Sequence, residues 1–178
     1  MKNMLGPKTK KNLEDAFAGE SMARNKYDYF ASIARKAGYV QIANIFEETA
    51  LNEKEHAKLW AKQLELIGEL PADLKAAIEG ELYENSEMYP RMAAEAREEG
   101  HEAIAKLFDN VAKAEKAHET RYRKLLENIE NGEVFKKKTV KRWKCANCGF
   151  IHEGEEAPEV CPACLHPQAH FEVFEETY

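Results

Sequence analysis

Residues 37–57 and 99–119 are one segment written twice. At an offset of 62, eight of 21 positions are identical: Gly38/Gly100, Ile42/Ile104, Ala43/Ala105, Phe46/Phe108, Ala50/Ala112, Glu53/Glu115, Lys54/Lys116 and His56/His118. An internal repeat built on apolar positions at helical spacing implies two related helical hairpins that bury those positions against each other. Core packing alone explains the repeated Ile, Ala and Phe. It does not explain the repeated Glu-x-x-His. A spacing of three puts Glu53 and His56, and likewise Glu115 and His118, on one face of a helix. Steps of three and four reach Phe46, Thr49, Ala50 and Trp60 from Glu53, and Phe108, Val111, Ala112 and Tyr122 from Glu115. Both motifs therefore sit in apolar stripes, where a lone buried carboxylate costs several kcal/mol.

The surrounding sequence predicts four helices. The first covers 9–37, opened by Leu13, Ala16 and Phe17 and stopped by Gly38. The second covers 39–67, with Ile42, Ile45, Phe46 and Leu59 at helical spacing, and is broken at Gly68 and Pro71. The third covers 72–98 and ends at Gly100. The fourth covers 101–130, with Ile104, Leu107, Phe108, Val111 and Leu125 as its core face. Pro90 falls inside the third helix, so either that helix kinks or a neighbouring element covers the freed carbonyl.

The other two helices also carry inward carboxylates. Glu20 shares a face with Ala16, Phe17 and Tyr27. Glu81 and Glu84 share one with Leu74, Ala77, Ile78 and Met88. Five Glu and two His converging on one core need cations, and oxygen-plus-imidazole ligation suits two iron or manganese ions. Inward Glu on two helices with Glu-x-x-His on the other two is the dimetal pattern of four-helix bundles. A single Glu-x-x-His is common on solvated helix faces, but two copies at equivalent places in a repeat are not. Glu47, Glu48, Glu55 and Glu65 belong to the solvated face, and His101, beside a helix break, is read as exposed.

The last forty residues differ in composition. All four cysteines lie there, as Cys145-Ala-Asn-Cys148 and Cys161-Pro-Ala-Cys164. Two CxxC turns twelve residues apart supply four thiolates in a tetrahedron, suited to one iron or to zinc. So small a module needs such a metal to fold, with Trp143, Phe150, Phe171 and Phe174 as its core. The expected organisation is a helical domain over 1–132, a connector over 133–138 and a cysteine module over 139–178. The net charge of −6 argues against a general nucleic-acid binder. No apolar run is long enough to cross a membrane. The segment from Met1 to Lys8 has no apolar stretch of a secretion signal, so a cytoplasmic location is expected.

With Ala18-Gly19-Glu20-Ser21, Glu53-Lys54-Glu55-His56, Glu81-Leu82-Tyr83-Glu84, Met88-Tyr89-Pro90 and Glu115-Lys116-Ala117-His118, nearly the whole chain resembles the rubrerythrin family. The C-terminal CxxCG and CPxC resemble rubredoxin. The resemblance implies an all-α, ferritin-like four-helix bundle followed by a small rubredoxin-like domain of β and loop. It implies a di-iron peroxidase that reduces hydrogen peroxide to water. Glu53 and Glu115 would bridge the irons, Glu20 would be terminal on one, and Glu81 with His118 on the other. Glu84 and His56 would exchange on the first iron, and Tyr27 would hydrogen-bond behind the ligands. Cys145, Cys148, Cys161 and Cys164 would hold an iron that passes electrons onward. One residue departs from the pattern: Leu165 follows Cys164 where rubredoxins usually have Gly, at a cost of about 1 kcal/mol or more if φ is positive there.

Chain length bears on assembly. If helix runs from Glu53 to 67 and from 72 to Glu81, the connector must climb roughly 35 Å. Residues 68–71 reach at most about 14 Å. A homodimer in which hairpins are exchanged between chains resolves the conflict, and a single-chain up-down bundle is the alternative. Among functions, a ferritin-like ferroxidase has no need of the cysteine module, and a zinc-ribbon interaction protein leaves the Glu and His unexplained. No dinucleotide fingerprint is present, so NAD(P)H would be used through an external rubredoxin or flavoprotein reductase.

Overall fold

The computed structural model describes residues 5–177, so part of the segment read for a secretion signal lies outside them. The chain forms two compact units that divide between Gly68 and Glu69. Four long helical stretches followed by a small cysteine-bearing β module are present as expected.

The first unit is a hairpin of α1 (Pro7–Lys36) and α2 (Val40–Gln63). Pro7 opens α1 at a position where its missing N–H costs nothing. Gly38, at φ 86, takes the left-handed conformation that ends the helix, and the Tyr39 N–H reaches back to the Ala34 carbonyl at 2.9 Å. Arg35 then ties the corner by donating to Glu47 at 2.6 Å and Asn44 at 3.1 Å. Ala43, Ala50, Ala57 and Ala61 on α2 are all buried, as is Ala31 on α1, so small residues let the two backbones approach closely. The helix ends at Gln63, not at 67 as predicted. Glu65 adopts φ 56, and the Leu66 N–H closes onto the Ala61 carbonyl at 2.9 Å. A non-glycine residue thus supplies the stop that the sequence suggested for Gly68.

The second unit begins with α3 (Leu70–Tyr83), α4 (Tyr89–Glu98) and α5 (Glu102–Glu130). Between α3 and α4, Glu84–Met88 form a π-helical segment in which the Tyr89 N–H bonds the Glu84 carbonyl, five residues back. Pro90 has no N–H to give, and a locally widened helix accommodates it. Neither expectation for Pro90 named this widening, which is itself a usual place for a long helix to bend. The corner at Gly100 repeats the one at Gly38: φ is 83, the His101 N–H bonds the Ala96 carbonyl at 2.7 Å, and Arg97 pairs with Asp109. Leu74, Ile78 and Leu126 form one apolar cluster, and Ala93, Ala96 and Ala105 another.

The same unit ends in an antiparallel sheet of order β2-β1-β3, from β1 (Lys136–Cys145), β2 (Ile151–Glu156) and β3 (Phe171–Val173). β1 therefore begins within the stretch read as a connector. Trp143 is fully buried in a cluster with Cys145, Ala157, Cys161 and Phe171, flanked by Phe135 and Phe150. Its indole N–H donates to the Gly154 carbonyl at 2.9 Å. Phe174, predicted for this core, instead lies beneath the Arg142 guanidinium at 5.1 Å and the Lys144 ammonium at 5.3 Å. Phe135, read as connector, takes a place against the core.

Candidate metal centres

Each unit gathers one carboxylate–histidine triad. In the first hairpin, Glu20 from α1 meets Glu53 and His56 from α2, with ligand atoms all within 4.8 Å of one another. His56 Nδ1 is 2.9 Å from Glu53 Oε2 and 3.9 Å from Glu20 Oε2. In the second unit, Glu81 from α3 meets Glu115 and His118 from α5. His118 Nδ1 stands 2.7 Å from Glu115 Oε2 and 3.5 Å from Glu81 Oε2. Each triad thus joins one of the repeated Glu-x-x-His pairs, on α2 or α5, to a Glu of α1 or α3.

The triads are less buried than the sequence suggested. His56 keeps 53% of its side-chain surface, and the four Glu are partly open. In the first unit α2 packs on α1, and in the second α5 packs on the continuous stretch from α3 through the π segment to α4, so part of the apolar stripe around each ligand face stays uncovered. Ile42, Ile45 and Leu59 on α2, and Ile104, Leu107 and Leu125 on α5, are exposed for the same reason.

Charge crowding perturbs these carboxyl groups. Glu20 is held above the ordinary carboxyl range, chiefly by the hydrogen bond it shares with Glu53, then by burial and by the Glu53 charge. Glu53 is correspondingly lowered by Glu20 and His56. Glu81 is raised by burial first and by Glu115 next. Its Oε2 is buried and accepts no hydrogen bond. An orphaned buried carboxylate oxygen beside a second carboxylate and an imidazole fits a cation, since the oxygen otherwise bears an uncompensated desolvation cost.

Glu84 lies outside the second triad but close enough for its charge to raise Glu81 and Tyr89. Tyr27 packs its ring against Phe30 and Phe46 at 6.3 and 5.9 Å. Tyr89 was given no role by the sequence. It packs on Phe108 at 6.0 Å, as Tyr27 does on Phe46, and burial with the charges of Glu84, Glu115 and Glu81 raises its phenol. The offset of 62 relates Tyr27 to Tyr89 and Phe46 to Phe108, which is the signal that could have found it. Glu20 and Glu81, however, are 61 apart. The π segment between Glu81 and Tyr89 absorbs the one extra residue and keeps both aligned with their partners.

The four cysteines form a second centre. Cys145 and Cys164 sulfurs are 3.7 Å apart, and Cys148 and Cys161 sulfurs 3.6 Å. A tetrahedron with metal–sulfur bonds of about 2.3 Å has edges of about 3.8 Å, so the set fits one metal and contains no disulfide. The His166 backbone N–H aims at the Cys164 sulfur and, with smaller help from Cys148, Asn147 and Cys161, lowers it to about 5. Phe150 offers Cys148 a similar N–H. Protons shared with its cysteine neighbours and burial outweigh that bond and push Cys148 up to about 12. Gly149, at φ 80, follows Cys148 in the left-handed region, and Leu165 follows Cys164 at φ 60. The expected strain is present, on a side chain that is 78% exposed.

Residues 11–126 match the family described as rubrerythrin, and residues 143–172 match the rubredoxin-like domain of rubrerythrin. The rubrerythrin of Clostridium perfringens is 56% identical, with 100% of each chain covered. That of Nitratidesulfovibrio vulgaris is 48% identical, covering 97% of each. Among solved structures, a partially reduced nigerythrin is 34% identical over 97% of this chain and 89% of that one, with a TM-score of 0.37.

Proposed function

Because this chain belongs to the rubrerythrin family, whose members combine a di-iron carboxylate site with a four-cysteine iron, we propose that it is a peroxidase reducing hydrogen peroxide to water. One observation carries the reading: two carboxylate–histidine triads and a tetrahedral thiolate set occur in the same chain. Bound as a ferrous pair, the irons supply both electrons of H2O2 + 2 H+ + 2 e− → 2 H2O. The cysteine centre adds what iron storage does not need, a relay for electrons from outside. These come from a rubredoxin or flavoprotein that draws on NAD(P)H, in the cytoplasm. The helical part to residue 132 does the chemistry, and the module from 139 delivers the electrons.

Glu20, Glu53, Glu81, Glu115 and His118 would hold the irons, with Glu53 and Glu115 shared between them and the other three each on one. His56 and Glu84 would be alternative ligands to one position. A neutral imidazole suits the reduced pair and a carboxylate the more positive oxidised pair. Tyr89, its phenol raised by burial and by the charges of Glu84, Glu115 and Glu81, would stay protonated and be able to offer a proton beside the ligands. Tyr27 is the corresponding group of the first hairpin.

A homodimer with exchanged hairpins completes the site. Helix runs from Glu53 to Gln63 and from Leu70 to Glu81, which is about 15 and 16 Å along the axes. The span from 63 to 70 reaches about 25 Å at most, short of the roughly 31 Å that a single-chain site needs. The exposed Ile42, Ile45, Ile104 and Leu107 beside the ligands suit burial against a second chain.

The test is to reduce the protein anaerobically, add one equivalent of peroxide and follow the visible ferric-thiolate band. Rapid return of the band with peroxide consumed is expected; peroxide left untouched would defeat the proposal. Glu84→Ala should slow repeated cycling while both irons stay bound, and an unimpaired rate would remove the exchange. By ultracentrifugation the iron-loaded species should be a dimer, and an active, iron-loaded monomer would rule out the swap.

A further inference from the structure

The first hairpin carries a second groove, on its outer side. Phe17 and Arg24 on α1 and Lys54, Ala57 and Ala61 on α2 line it, and Leu66 and Ile67 close one end, around about 460 Å³. Its lining residues Ser21 and Asn25 lie about 100° and 140° around α1 from Glu20, Lys54 and Lys58 about 100° and 140° around α2 from Glu53, and none of Glu20, Glu53 and His56 lines it. The groove is therefore separate from the triad.

The second hairpin shows what fills this place when it is filled. At the offset of 62, Lys54 corresponds to Lys116, Ala57 to Glu119 and Ala61 to Arg123. Glu119 is only 2% exposed. Lys116 donates to it at 2.5 Å, and Arg123 bonds its other oxygen. In the first hairpin the two alanines remove both the carboxylate and the arginine, and the lysine remains. Lys54 has no ion-pair partner among the described residues. Arg24 enters from the facing helix, with its Nε buried and without a hydrogen-bond partner. The remaining cation of the groove, Lys58, is already paired with Glu55 at 3.5 Å.

We propose that this groove binds a small amphipathic monocarboxylate, whose head takes the place that Glu119 fills in the other hairpin. Arg24 offers a planar fork matched to a carboxylate, and Lys54 a point charge. The Glu55 carboxylate at the rim disfavours a dianion. Ser21 and Asn25 also line it, but the Ser21 hydroxyl donates to the Phe17 carbonyl and the Asn25 amide to the Ser21 carbonyl. Phe17, Ala57, Ala61, Leu66 and Ile67 make most of the remaining wall apolar, and the last two are half-exposed at 54% and 50%. A short aliphatic tail would cover them. The volume lies within the range of small-molecule sites.

Octanoate is the probe, titrated calorimetrically into the full-length, iron-loaded protein. Saturable binding at one equivalent per chain is expected, at least about tenfold tighter than acetate because of the apolar wall. Arg24→Met and Lys54→Met should each weaken it by about tenfold or more. Ala57→Glu should abolish it by supplying the carboxylate internally. If Ala57→Glu misfolds, the two Met variants decide. Equal binding by parent and Met variants, acetate as tight as octanoate, phosphate as effective a competitor, or no saturable binding would each overturn the proposal. So would a shift of the ferric di-iron bands on adding octanoate, which would place the carboxylate on the metals.

Discussion

Leu165 offers a test in which the sign of the effect is diagnostic. Its backbone is left-handed at φ 60. A Cβ there costs about 1–2 kcal/mol, whereas a glycine ordinarily costs about 0.5–1 kcal/mol in chain entropy. Leu165→Ala keeps the backbone cost and removes the little packing that a 78% exposed side chain makes. Going on to Leu165→Gly should then stabilise the cysteine module relative to Ala, by about 0.5–1 kcal/mol. At an ordinary loop position the same step destabilises. Gly149, its counterpart after Cys148, has nothing within 4 Å of where a Cβ would stand. Gly149→Ala should therefore lose stability through the backbone alone, by a similar amount. The assay is guanidinium unfolding of zinc-loaded full-length protein at fixed free zinc. Trp143 fluorescence reports on the module once the other tryptophan is replaced by Trp60→Phe. If Leu165→Gly is less stable than Leu165→Ala, the turn is not strained by its side chain and the reasoning fails.

Trp143→Ala should remove about 3–5 kcal/mol, more than so small a module holds without its metal. The amide dispersion of residues 139–178 should collapse in the metal-free variant, and parent-like spectra would contradict this. Glu119→Gln should lower the Tm of metal-free protein at neutral pH. Lys116, then Arg123, hold the Glu119 carboxyl below its ordinary 4.5. Its contribution is therefore present above that value and lost as pH falls through the depressed one. The Tm gap between parent and variant should close below pH 4.5, and a gap unchanged at pH 2 would refute the pairing. Deleting Ser86 together with Pro90→Ala should leave helicity and Tm near the parent's, because the π segment already holds one residue in excess. Deleting Asn110 from α5 should instead turn Glu115 and His118 about 100° from Glu81 and lose iron.

Much of this was legible in the sequence because glycine and periodicity mark backbone events directly. Gly38 and Gly100 stop their helices through positive φ, and the Glu-x-x-His pairs fall on one face because helix geometry leaves no choice. The end of α2 was not legible. Glu65 adopts a left-handed conformation that nothing in its side chain announces, and Gly68 drew the stop downstream. The π segment was hidden for a related reason: Pro90 signals that a hydrogen bond is missing but not how the helix will make room. Tyr89 and Glu119 were missed because their importance lies in what surrounds them, and an aromatic or a Glu on a long helix has a bland reading in most chains. Phe135 and Phe174 exchanged roles because strand register, not hydrophobicity, decides which of two aromatics faces Trp143.

The one-residue surplus at Glu84–Met88 breaks a symmetry. Glu20 and Tyr27 are seven apart, Glu81 and Tyr89 eight, so two hairpins built to one plan fall out of step across this turn. On the first helix the positions answering to Glu84 are Met22 and Ala23, neither of which can ligate a hard cation as a carboxylate does. Two like ions held here would be chemically inequivalent, and a spectroscopy sensitive to their surroundings should resolve two signals where a perfect duplicate would give one.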